Sequence, residues 1–322
     1  METRSTIKST IMGKAYEYAC VIALSDFLEN VCPFEVVENS SLIIAKFLYS
    51  EIKALDRNEM LKSAKAGMSA IIDMEPRILE DEKCKLTILL QPDNVAKNGD
   101  VRDLLIIRQS IEWEIGISVK HNHAALKHSR LSKNLDFGKA WFGIPVSKAY
   151  FNEISPVFDL LKILKDKGKL WLEMPEKEKS VYIPVLKAFM REFNSLYKKH
   201  DDEITSGLVK YLLGSNGKDY YKLIHYNNHT TRIQPFNLYG KLNQSSKKQK
   251  PKKIFGEIQL PTKITSLTLK NKSNTTLELY MNNGWAMSLR IHNASSRVEP
   301  SLKFDIQLLE QPAETFYIDV KW

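Results

Sequence analysis

Between residues 85 and 121 the chain switches from helical to strand periodicity, and this switch limits what it can fold into. KLTILLQ (85–91), VRDLLII (101–107) and EWEIGISVKH (112–121) are short runs rich in β-branched and aliphatic residues. Each has the length and alternation of a strand. Residues 92–99 between the first two hold Pro, Asp, Asn and Gly, which read as a turn. Upstream, Ala15, Tyr18, Ala19, Ile22 and Ala23 repeat at helical spacing within 13–30, and 41–54 and 58–74 read as two more helices. A helical segment feeding three short strands points to a mixed α/β domain.

Helices return after the three strands. Ser155-Pro156 has the form of an N-cap followed by a proline in the first turn, and Gly168 would close that helix. Residues 184–199 and 202–213 continue the helical region, and SSKKQKPKK (245–253) reads as a mobile basic loop. Short alternating strands follow near 264–269, 277–281, 286–292 and 302–308. The expected organisation is a mixed α/β body with helical additions over residues 1–240 and a β-rich region over 254–322.

Forty-seven Lys and Arg against 38 Asp and Glu give a net charge of +9. The excess is local. No acid occurs from Ile115 to Leu135, nor from Tyr220 to Gly256. The first stretch carries Lys120, Lys127, Arg130 and Lys133. The second carries Lys222, Arg232, Lys241 and the lysines from Lys247 to Lys253, interleaved with Tyr220, Tyr221, Tyr226, Phe236 and Tyr239. Such stretches suit a nucleic-acid backbone, and equally a solvated basic surface. The first residues hold no apolar run of signal-peptide type, and no stretch reaches the roughly 20 apolar residues of a membrane span. Three separated cysteines (Cys20, Cys32, Cys84) have no zinc-ligand spacing. A cytoplasmic protein is expected, neither disulfide-stapled nor membrane-bound.

If the second and third strands form a hairpin turning near Gln109 and Ser110, Asp103 falls opposite Ser118, and Lys120 lies two residues further on the same face as Glu114, Gly116 and Ser118. A carboxylate and a lysine so placed can serve metal-dependent phosphodiester cleavage. The carboxylate would hold Mg²⁺, which polarises the phosphate and acidifies the attacking water, while the lysine stabilises developing negative charge. The same pair is also what an ordinary cross-strand salt bridge looks like. Glu17 is the lone charge in the apolar run from Ala15 to Ser25. Burial there would call for a partner or a metal, although a glutamate in the first helical turn also suits the helix dipole. Asp93, beside Pro92, reads as a turn residue. The contiguous His121-Asn122-His123 lacks the spread that HNH nucleases require.

Three longer stretches, GKAYEYAC (13–20), DLLIIR through WEIGISVKHNHAALKHSRLS (103–132) and RIHNASSRVEPSLKFDIQL (290–308), resemble the HaeIII-type restriction endonucleases, as does QPFNLYGKLN (234–243). The resemblance implies a type II restriction enzyme cutting duplex DNA at GGCC with Mg²⁺, on a PD-(D/E)xK nuclease core of αβββαβ order. It implies that Asp103 binds metal and that Lys120 is the motif lysine. The middle acid of (D/E)xK falls at Ser118, which cannot supply the charge. Glu114 lies four residues away, roughly 13 Å at strand rise, so Glu17 is the candidate for the missing ligand.

In the β-rich region Ser288, Arg290 and His292 alternate with apolar residues, as do Lys303, Asp305 and Gln307. Arginine or lysine on guanine O6 and N7 is the commonest specific base contact, which makes Arg290 and Lys303 candidate base readers, followed by His292 and Asn293. Lys127, Arg130 and the lysines of 247–253 suit phosphates. A solvated sheet face would carry the same residues. The expected partner is double-stranded DNA, bound by a monomer or homodimer, with a cognate DNA methyltransferase paired in the host. A non-catalytic DNA-binding relative, with Ser118 marking a decayed site, and an RNA-binding protein with stacking tyrosines are the alternatives.

Overall fold

A computed structural model describes residues 4–81, 83–92, 100–122, 127–214, 217–293, 295–312 and 315–322, with no account of the side chains of residues 4–8 and 127–128. The chain divides into two compact units. One comprises Arg4–Ala124, Gly214–Ile258 and Ala313–Trp322; the other comprises Met1–Thr3, Ala125–Leu213 and Gln259–Pro312. The division expected at 240–254 therefore does not follow the units, because the chain enters and leaves each more than once.

The first unit is built on a seven-stranded sheet. Its strands, in chain order, are β1 (Phe34–Val36), β2 (Leu86–Leu90), β3 (Leu104–Arg108) and β4 (Trp113–His121). The second unit supplies β5 (Lys127–Ser132), and β6 (Tyr220–Tyr226) and β7 (Thr230–Phe236) return to the first sheet. With β12 (Ile318–Lys321), the spatial order is β1-β2-β3-β4-β6-β7-β12. Strands β3 and β4 form the antiparallel hairpin that the sequence predicts, β2 pairs antiparallel with β3, and β6 lies parallel to β4. Helices α1 (Arg4–Leu28), α2 (Ser40–Glu51) and α3 (Ala54–Met74) belong to the same unit.

Packing explains α1. Its buried stripe is Ala15, Tyr16, Ala19, Cys20, Ala23, Leu24 and Leu28, one step round from the predicted face, so Tyr18 and Ile22 sit at the margin. The stripe joins Leu104, Ile106, Ile115, Ile117, Val119, Tyr221, Leu223 and Ile233 in one apolar core. Arg108 is fully buried in this unit. Its guanidinium donates to the carbonyls of Ile78, Asp81 and Cys84, which satisfies a buried charge with backbone acceptors.

The loop 245–253 has no regular structure and is tied to its unit by hydrogen bonds and an ion pair. Lys252 N–H donates to Asp73 O and its Nζ lies 2.7 Å from Asp73 Oδ1, while Asn243 Nδ2 donates to Lys253 O and Arg77 Nε to Ser245 O. Partners distant in the chain, Asp73 above all, supply acceptors to this lysine-rich loop.

The second unit holds a five-stranded antiparallel sheet of order β5-β11-β10-β9-β8. Its other members are β8 (Ile264–Leu269), β9 (Thr276–Met281), β10 (Ala286–Asn293) and β11 (Ser301–Glu310). It also holds α4 (Phe137–Phe142), α5 (Lys148–Asp166), α6 (Ile183–Tyr197) and α7 (Asp201–Leu213). The start of α5 differs from expectation. Ser147 is its N-cap, accepting from Tyr150 N–H, and Pro156 lies inside the helix. Ser155 Oγ donates to Phe151 O there, tying the serine to the preceding turn instead of capping a new one. Gly168, at φ +69°, terminates the helix as predicted.

Candidate active site

The β3–β4 hairpin has the predicted register. Leu104 pairs with Ile117, and one step outward Asp103 N–H donates to Ile117 O, which sets Asp103 opposite Ser118. A 3-10 turn over Gln109–Ile111 closes the hairpin where expected.

Asp103 Oδ2 then gathers three donors from the neighbouring strand. Val119 N–H lies at 2.7 Å, Lys120 Nζ at 2.9 Å and Ser118 Oγ at 3.4 Å. All three converge on one oxygen, so the carboxylate is anchored while Oδ1 makes none of these bonds. Both ends of the ion pair stay partly open to solvent, with the Asp103 side chain 24 % and that of Lys120 33 % exposed. A solvent-accessible anchored pair is the geometry a phosphate could approach.

Glu17 is brought to the same place from α1. It is 6 % exposed, and Lys14 Nζ lies 3.0 Å from its Oε2. Its pKa is raised to about 7, first by burial and then by the negative charge of Asp103, with Lys14 and Lys120 pulling the other way. Two acids that repel across a partly dry site are relieved by a cation. Asp103 Oδ1 and Glu17 Oε1 are hard oxygen donors, and an ion that retains water needs only one or two such carboxylates. The donor set therefore fits a small divalent cation, although among the described residues no group of three or more His, Cys, Asp or Glu is poised to ligate one.

Two neighbours complete the surroundings. Across the parallel β4–β6 pairing Ser118 stands opposite Lys222, which in turn faces Gln234 on β7. Lys222 is buried. Burial first, and then the charge of Lys120, lower its pKa to about 7. Sequence places Lys222 in the acid-free basic stretch suited to a nucleic-acid backbone, with Tyr220, Tyr221 and Phe236 interleaved, yet all four lie in the interior. Recognising β6 and β7 would have shown this. YYKLIHY and TTRIQPF flank an Asn-Asn-His turn, the pattern of a hairpin.

On the other side, Arg102 forks onto Asp100 (Nε 2.8 Å, Nη2 2.7 Å) and reaches Glu114 at 3.0 Å, a carboxylate also paired with Lys218. Glu114 is thus committed to arginine and lysine, in keeping with its distance along the strand from the acid missing at Ser118. Arg102 crosses β4 over Gly116, where a Cβ would fall 1.9 Å from Arg102 Cδ. Asp93 and His123 lie outside the described residues. His121 stacks on His225 with centroids 4.9 Å apart.

In the second unit, the residues nominated for DNA contact mostly share one sheet face. Across β5, β11 and β10 a row joins Arg130, Lys303 and His292, and the adjacent row sets Asp305 against Arg290. Arg290 Nη2 donates to Asp305 Oδ2 at 3.1 Å. Asn293 has the opposite parity, pairing with Leu302; it accepts from Tyr182 Oη at 2.9 Å and donates to Ser295 O, so it is not brought together with the others. Lys127 pairs with Ile306 in β5, its side chain outside the description.

The model of the HaeIII restriction endonuclease family matches residues 13–312. The protein named Type II restriction enzyme HaeIII, from Haemophilus aegyptius, is 42% identical over 316 residues, covering 98% of this chain and 98% of that protein. No solved structure matches the chain.

Proposed function

This chain belongs to the HaeIII restriction endonuclease family and is a type II restriction enzyme, and from that footing we propose that it hydrolyses duplex DNA at GGCC with Mg²⁺, using Asp103, Lys120 and Glu17. The observation that carries the site is the Asp103–Lys120 pair at 2.9 Å, with Glu17 buried on α1 near enough for the charge of Asp103 to act on it. A PD-(D/E)xK core is the matching fold. Three antiparallel strands, β2, β3 and β4, followed by β6 parallel to β4, support it.

Asp103 and Glu17 would hold the metal, which when bound polarises the scissile phosphate and makes water acidic enough to attack near neutral pH. The chain's own side chains do the rest. Val119 N–H and Ser118 Oγ fix the Asp103 carboxylate, and Lys120 Nζ, held by that carboxylate, orients the attacking water and stabilises charge on the phosphorane oxygens. Glu17 supplies from a helix the negative charge that Ser118 lacks on the strand.

Arg290 and Lys303, with His292 beside them, are proposed to read guanine edges in the major groove, and Lys127 and Arg130 to contact phosphates. GGCC offers guanines on both strands to such donors. A host carrying this activity needs a GGCC methyltransferase to shield its own DNA.

The test is digestion of a plasmid bearing GGCC sites, with Mg²⁺ or with EDTA. Discrete Mg²⁺-dependent fragments ending within GGCC are expected. GGCC-specific binding with no cleavage would instead make the chain a non-catalytic derivative.

A further inference from the structure

The sheet face that gathers Arg130, Lys303, His292 and Arg290 also contains acids that a surface built only to attract phosphate would avoid, among them Glu278, opposite Ser288 and paired with Lys270, and Asp305. Asp305 lies in β11 directly opposite Arg290 and is 8 % exposed. Its Oδ2 accepts from Arg290 Nη2 at 3.1 Å and from Gln307 Nε2 at 3.2 Å. The arginine side chain, by contrast, is 57 % exposed. A buried carboxylate near the DNA surface weakens phosphate attraction, so its placement needs another reason.

Geometry supplies one. An exposed arginine pays rotamer entropy to hold a fixed pose. Specific recognition of guanine needs a planar fork presented at a fixed angle, because two parallel N–H groups must meet O6 and N7 together. Asp305 engages one guanidinium nitrogen from the floor of the sheet, and Gln307 braces that carboxylate from two residues along the same strand. The rest of the Arg290 side chain is largely open to solvent. Asp305 is too buried to reach a cytosine amino group itself.

We propose that Asp305, braced by Gln307, is the positioning residue for Arg290, and that this pair makes Arg290 a reader of guanine rather than a phosphate contact. The inference rests on the GGCC-endonuclease reading above.

The test compares binding of the full chain, in EDTA so that no cleavage intervenes, to a GGCC duplex, to a duplex with one guanine replaced, and to a duplex with no related site. Wild type must first prefer GGCC over the site-free duplex; if it does not, the GGCC reading itself fails. Given that preference, Asp305→Asn, nearly isosteric, is expected to lose about tenfold of the discrimination against the replaced guanine. Its affinity for the site-free duplex should hold or rise, because a negative charge has been removed. Arg290→Ala should lose as much, and Asp305→Asn added to Arg290→Ala should change nothing further. Gln307→Ala, at an exposed position, should lose a smaller part, about two- to threefold, and provides the test if Asp305→Asn fails to fold. Undiminished discrimination in Asp305→Asn, equal weakening on all three duplexes, or a full further loss in the Arg290→Ala background would each overturn the proposal; the last would make Asp305 a reader in its own right.

Discussion

Lys120 Nζ and Asp103 Oδ2 are 2.9 Å apart across a hairpin whose register sets Asp103 opposite Ser118, so the lysine reaches diagonally by two residues to the carboxylate. The bond is more than a surface ion pair of little consequence. The same oxygen also receives a backbone N–H and lies within the field of a buried glutamate.

Glu17 should govern metal affinity. Glu17→Gln is expected to raise the half-saturating Mg²⁺ concentration for cleavage by about tenfold or more. It should also shrink the Mg²⁺-induced rise in Tm, since less binding energy is linked to the folded state. An unchanged Mg²⁺ titration would remove Glu17 from the site.

Glu75 makes part of the stability depend on pH. It is buried at the end of α3, accepting from Tyr221 Oη at 2.7 Å and Asn243 N–H at 2.6 Å, and burial raises its pKa to about 7 against an ordinary 4.5. The unfolded chain therefore releases this proton first, and stability falls as pH rises from about 4.5 to about 7, then levels off. Glu75→Gln keeps an acceptor oxygen and should flatten part of that fall in denaturant titrations across the window. A pH profile indistinguishable from wild type would contradict the assignment.

Gly116 keeps a channel open for Arg102. With a Cβ 1.9 Å from Arg102 Cδ, and the guanidinium held by Asp100 and Glu114, Gly116→Ala must displace the arginine or the strand. A loss of about 1–3 kcal/mol in unfolding free energy is expected, together with slower cleavage, because Arg102 adjoins Asp103. Gly116→Ala with wild-type stability would show that the network yields easily.

The hairpin was legible from sequence because two alternating runs and a short turn fix its register. That register alone places Asp103, Ser118 and Lys120 together. Lys222 was misread because charge suggests a surface, whereas its burial follows from β6 pairing with β4, a contact across about a hundred residues that no local pattern encodes. The Ser155-Pro156 cap failed for a related reason. Tertiary packing of Tyr150 and Ile154 carried α5 through a proline that local propensity treats as a start. The shared face of Arg130, Lys303 and His292 joins β5 to strands far along the chain, so alternation could orient each residue but not assemble the row.

The most direct test of the account is Asp103→Asn, assayed in parallel for binding and for single-turnover cleavage of a GGCC duplex with saturating Mg²⁺. Removing the carboxylate charge should take away several kcal/mol of transition-state stabilisation, slowing cleavage by at least about a hundredfold. Affinity measured without metal should stay close to wild type. Cleavage by Asp103→Asn at the wild-type rate would contradict the assignment of this hairpin as the cutting centre.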